Sequence, residues 1–173
     1  MPENKEKETQ TVKRRRLLIL NAVLAALALI VMTAGGALAF QPPLTILQKV
    51  VWAPLPVIEG LPVTYKIQLH FNQNVEDVRL LDVMRGKQDF ISGSVAATCG
   101  TKLVVTQKLD TATRDDIEIK LGDIPASTVC DVFISALTDD DSAGTRILND
   151  VTVYTNLNNF KGTAGVAAVV DEL

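Results

Sequence analysis

At 173 residues the chain has room for one domain and an additional targeting or anchoring segment. Lys and Arg number 17 against 20 Asp and Glu; residues 1–16 hold six of the basic and three of the acidic side chains, so the rest of the chain carries a formal −6. A nucleic-acid partner would require a basic face on the folded part, and an acidic folded part excludes it.

The first ten residues are polar and poor in apolar side chains, the composition of a disordered tail. Lys13-Arg14-Arg15-Arg16 then meets an uncharged apolar run from Leu17 to Ala34, extending to Phe40. Roughly 20 helical residues span a bilayer core. The basic cluster before the run keeps residues 1–16 in the cytoplasm and delivers everything after Phe40 outside. Two readings of residues 17–40 stand. The long basic start and long apolar run suit an uncleaved transmembrane helix; Ala37-Leu38-Ala39 suits a signal peptide cut after Ala39. Either reading gives a cell-membrane, secreted or cell-surface protein.

From residue 44 to 155 the period changes to two. Leu44–Val51 reads as a first strand, followed by a kinked connection at Pro54, Pro56 and Pro62. In Pro62–Asn72 the apolar set is Val63, Tyr65, Ile67, Leu69 and Phe71, and the intervening set is polar. A strand buries the first set and wets the second, whereas a helix would scatter them. Further runs follow: Val75–Met84 with Val78, Leu80 and Val83 toward the core, then 90–97, 103–107, 116–121, 129–137 and 147–154. Ile117, Ile119 and Leu121 alternate, as do Cys130, Val132, Ile134 and Ala136, and Val151 with Val153. The pattern predicts an all-β, immunoglobulin-like β-sandwich of about seven or eight antiparallel strands, preceded by one N-terminal hydrophobic helix. Residues 156–173 read as a C-terminal tail.

An ordered set of short matches runs through this region: Leu44-x-Ile46-x-x-Lys49, Glu59-Gly60-x-Pro62-Val63-Thr64-Tyr65, Asn74-Val75-x-Asp77-Val78, Leu81-Asp82-Val83, Ala97-x-Cys99-Gly100, Leu121-Gly122-Asp123-Ile124-Pro125, Cys130 and Asn149-Asp150-Val151-Thr152-Val153. Together they resemble the domain-of-unknown-function 11 repeat of prokaryotic surface proteins. The resemblance implies an extracellular immunoglobulin-like sandwich, usually repeated in large cell-surface proteins. Here there is a single copy, with no internal repeat.

Cys99 and Cys130 are the only cysteines, and thirty residues lie between them. That is neither redox-motif nor metal-ligand spacing. An oxidising compartment and a fold that brings distant strands together predict a Cys99–Cys130 disulfide. Asp139-Asp140-Asp141 could offer oxygen ligands to Ca2+, but it lacks the spacing of a dedicated calcium loop and reads equally as a solvated turn. Asp110, Asp115 and Asp116 form a similar acidic stretch. His70, the single histidine, falls on the polar side of its strand and has no readable partners. Trp52 reads as packing over the end of the sandwich, with a membrane-interface role as the alternative. In the tail, Val166, Val169 and Val170 offer an apolar segment able to add as a strand to a neighbour's open edge.

Motifs for nucleophilic, phosphate-binding or zinc chemistry are absent. The reading is a non-enzymatic surface or envelope protein without cofactor. Its expected contacts are the membrane through residues 17–40 and other surface proteins or copies of itself. A pilus-like filament subunit, joined by the helix or by the C-terminal strand, is the first alternative. A Ca2+ or glycan module is the second.

Overall fold

The computed structural model describes residues 43–157 and 161–173. The segments expected to be a cytoplasmic tail (1–16) and a membrane helix or signal peptide (17–40) lie outside the described residues. The described part is all strand and turn. In chain order the strands are β1 (Leu44–Ala53), β2 (Val57–Ile58), β3 (Pro62–Phe71), β4 (Val75–Arg85), β5 (Gln88–Phe90), β6 (Ala96–Ala97), β7 (Val104–Thr111), β8 (Arg114–Ile124), β9 (Val129–Thr138), β10 (Arg146–Tyr154) and β11 (Lys161–Asp171).

Two sheets share one core. The first has the order β1-β3-β9-β5, with β6 also on β9; the second has the order β2-β11-β10-β4-β8-β7. All pairings are antiparallel except β2 with β11. β3 alternates as its sequence dictates, with Val63, Tyr65, Ile67, Leu69 and Phe71 buried. Across the core lie Ile117, Ile119 and Leu121 of β8 and Val151 and Val153 of β10, also buried. Removing these branched side chains from water is the main stabilising contribution, at about 25 cal/mol per Å2 of apolar surface.

Among the described residues the strands number eleven rather than seven or eight. The run read as one strand over 90–97 is two short ones, β5 and β6, and β2 is a further strand of two residues with no readable period. The remaining addition, β11, corrects the reading of 156–173 as a tail. Lys161–Asp171 pairs with β10 from Lys161 against Tyr154 to Val169 against Arg146, and its last two residues pair with β2. Its inward residues Ala164, Val166 and Ala168 pack against the core, and Val170 is fully buried there. The alternation was hidden because the inward side chains are small. They have to be: a Cβ on Gly162 would stand 2.7 Å from one methyl of Leu44 and 2.8 Å from one of Leu47. The C-terminal strand is therefore used inside its own domain.

β4 shows a second difference. Its inward residues are Val78, Leu80, Asp82 and Met84, so Val83 belongs to the opposite face. A β-bulge at Val75–Val78 shifts the register early in the strand, and the core phase then passes through a carboxylate.

Candidate functional site

Three polar side chains occupy core positions. Lys49 stands at the inward phase of β1, Asp82 at that of β4 and Asn149 at that of β10; the residues are 4%, 0% and 0% exposed. Asp82 and Asn149 sit on neighbouring strands one diagonal apart, since Asp82 faces Val151 and Met84 faces Asn149 in the ladder. Lys49 reaches them from the opposite sheet. Its ammonium donates to Asp82 Oδ2 and, at 2.6 Å, to Asn149 Oδ1. Asp82 Oδ1 and Asn149 Nδ2 have no hydrogen-bond partner.

Burial of charge sets the electrostatics. Desolvation pulls the Lys49 pKa down, opposed by the Asp82 carboxylate. Desolvation pushes the Asp82 pKa up, opposed first by the Lys49 charge and its hydrogen bond. Both groups are thus driven toward their neutral forms, a free amine and a carboxylic acid. A buried ion pair of this kind is a poor stabilising device compared with apolar residues of the same volume. An amine shifted toward its neutral form and held against a side-chain amide, beside a carboxyl group shifted toward its acid form, is the kind of arrangement acyl transfer uses.

The wall of the site is Tyr65, whose ring centre lies 5.5 Å from Lys49 Nζ. Burial first, then the neighbouring Asp82, pushes the Tyr65 hydroxyl above its usual range, so it stays protonated and can donate. It donates to Gln88 Oε1 at 2.5 Å. Gln88 is itself 2% exposed.

The residues singled out from sequence lie elsewhere. Cys99 and Cys130 are disulfide-bonded, with Cα atoms 5.2 Å apart, and fasten the segment after β6 to β9. Asp141 pairs with Lys87 at 2.6 Å, and the backbone of Asp139 serves the turn through Ser142. Asp140 lies against Gly60. Among the described residues no three His, Cys, Asp or Glu side chains converge as a metal site. His70 Nδ1 shares a hydrogen bond with Thr45 Oγ1 at 2.5 Å. Trp52 lies on the outer surface of the first sheet, not over the end of the sandwich; it meets Phe133 edge-on at 6.0 Å and carries Lys66 Nζ 4.7 Å above its ring. Val170 is buried, Val166 is half-buried and Val169 is 61% exposed.

Sequence reasoning assigned no chemistry to Lys49, Asp82 or Asn149. The available signal was phase. Each interrupts an apolar alternation: Leu47-Lys49-Val51, Leu80-Asp82-Met84 and Ile147-Asn149-Val151.

No family model and no curated protein sequence matches the chain. Solved structures do. The full-length major pilin SpaD of Corynebacterium diphtheriae superimposes with a TM-score of 0.53 at 17% identity, over 70% of this chain and 35% of that one. A putative membrane-anchored protein of the same organism gives 0.53 at 11% identity, over 74% of this chain and 36% of that one. The C. diphtheriae major pilin SpaA gives 0.52 at 14% identity, over 72% and 37%. The chain therefore spans little more than a third of each. At these identities the likeness is one of fold. The SpaA structure is described as pointing to a modular pilus assembly with stabilising isopeptide bonds.

Proposed function

We propose that this chain is a non-enzymatic surface or envelope protein whose immunoglobulin-like sandwich locks itself with an amide bond between Lys49 and Asn149. The domain then serves as a tension-resistant unit of an adhesive or pilus-like structure. The observation that carries the reading is the buried amine of Lys49, 2.6 Å from the Asn149 amide oxygen and bonded to Asp82.

The chemistry balances without any co-reactant. The neutral Lys49 amine adds to Asn149 Cγ while Asp82, as an acid, stabilises the developing oxyanion. The Cγ–Nδ2 bond then breaks. The proton lost from Nζ passes through Asp82 to the departing Nδ2, and ammonia leaves. The unpartnered Nδ2 and Asp82 Oδ1 are the atoms this relay uses. The two sheets hold the reacting groups at contact, which supplies much of the rate. The reaction happens once, on the protein's own chain.

The bond links residues 100 apart in sequence. In the chain-entropy picture, closing a loop of that length adds about 5 kcal/mol to stability. It also joins the first strand of one sheet to the second sheet, so tension between the N-terminal segment and β10 bypasses residues 50–148. The basic cluster before an apolar run and the disulfide support placement outside the cytoplasm. The pilin folds support the pilus-like version.

Intact mass under denaturing conditions tests the reading. With the disulfide reduced, the full chain is expected about 17 Da lighter than its sequence, the mass of one ammonia, and Lys49→Ala and Asp82→Ala are expected at full sequence mass. A wild-type chain at full mass overturns it.

A further inference from the structure

The site has a brace that the bond-forming groups do not include. Gln88 is the first residue of β5, where the chain leaves the second sheet for the first. Its side chain is fully engaged. Oε1 accepts from Tyr65 OH at 2.5 Å, and Nε2 donates to the backbone oxygens of Arg85 and Leu148, each at 2.9 Å. Those two residues face each other at the end of the β4–β10 ladder. Beyond them β10 runs on to Arg146 with β11 as its ladder partner. Leu148 immediately precedes Asn149. One amide therefore ties the wall beside the lysine to the backbone beside the asparagine.

We infer that Gln88, anchored by Tyr65, is a positioning residue for the Lys49–Asn149 bond: it fixes the end of β10 so that the Asn149 amide stays within reach of the lysine. The inference rests on the proposed bond. Its physical basis is the steep dependence of such reactions on placement, since an error of an ångström costs about a hundredfold in rate. Without Gln88, the terminal β4–β10 pair keeps its strands but loses the clamp, and Tyr65 OH is left buried without an acceptor.

Cell-free synthesis of the full chain in detergent micelles, with aliquots quenched in denaturing acid, gives the rate of ammonia loss by mass. Gln88→Met, similar in volume, is expected to slow the loss about tenfold. Tyr65→Phe keeps the ring and removes only the hydroxyl, and is expected to slow it by a smaller factor with an unchanged far-ultraviolet dichroism spectrum. Gln88→Glu supplies a readout that mere packing does not move. Its carboxylate faces two carbonyl oxygens at neutral pH and repels them; once protonated it donates to one of them and still accepts from Tyr65. Its rate relative to wild type is therefore expected to rise as pH falls. Wild-type rates in both Gln88→Met and Tyr65→Phe overturn the inference while leaving the bond intact, as does a Gln88→Glu rate parallel to wild type at every pH. A wild-type chain that never loses ammonia removes the bond, and the inference with it.

Discussion

Lys49 Nζ lies 2.6 Å from Asn149 Oδ1, across the core and 100 residues away in sequence. Asp82, fully buried, completes the group. Three polar side chains set in a largely apolar core cost stability when unreacted and add it once joined. That asymmetry gives the first expectation.

Lys49→Met leaves Asp82 as a lone buried acid. Breaking a buried pair from one side costs about 3 kcal/mol or more. The double variant Lys49→Met with Asp82→Leu removes the orphan. Chemical denaturation is expected to show the double variant more stable than the single one, although neither carries the bond. A double variant weaker than the single would contradict the electrostatic account.

The disulfide contributes independently. It closes a loop of about thirty residues, and a bridge of that span adds about 3–4 kcal/mol in the chain-entropy model. Cys99→Ser with Cys130→Ser is expected to lower the unfolding free energy by that amount while ammonia is still lost, because the bridge fastens β9 and lies outside the Lys49–Asp82–Asn149 group. Loss of both properties together would tie the two cross-links to one element.

Gly162→Val tests whether β11 is seated as described. The added side chain meets the methyls of Leu44 and Leu47 closer than contact distance, and overpacking of this sort costs about 1–3 kcal/mol. Val169→Thr, on the exposed side of the same strand, is expected to be nearly neutral. Equal effects at both positions would mean that β11 is not packed on the core.

Acid sensitivity follows from the outer surfaces. The hydrogen bond from Lys66 holds the Asp131 carboxyl below its usual range, and that from Lys108 does the same for Glu118. A carboxyl whose pKa is lowered by folding stabilises the fold above its unfolded value of about 4, and that contribution is lost as pH falls through the folded value. Thermal unfolding of Asp131→Asn is expected to change less than wild type as pH is lowered below about 4, the two curves converging at the acid end. Curves that stay parallel would remove Asp131 from the acid response.

Much of the scaffold was legible in the chain. β3 alternates between apolar and polar residues along its whole length, and Ile117-Ile119-Leu121 of β8 and Cys130-Val132-Ile134-Ala136 of β9 keep the same period, which names both the strand and its buried side. β11 was not legible, because its inward Gly162, Ala164 and Ala168 lack the bulk that marks a core phase. The site was illegible for the opposite reason. A lysine, an aspartate and an asparagine at core phase read as slips toward the surface, and in β4 the apolar Val83 reads as the inward residue in place of Asp82. Only the pairing of β4 with β10, and the approach of β1 from the other sheet, shows that the three slips meet at one point.

The most direct measurement is peptide mapping of the full chain. Trypsin cannot cut after a lysine whose amine is an amide. The account predicts a branched peptide in which the segment ending at Lys66 and still containing Lys49 is joined to Ile147–Lys161 with one ammonia missing. Separate, unmodified peptides Val50–Lys66 and Ile147–Lys161 would contradict it.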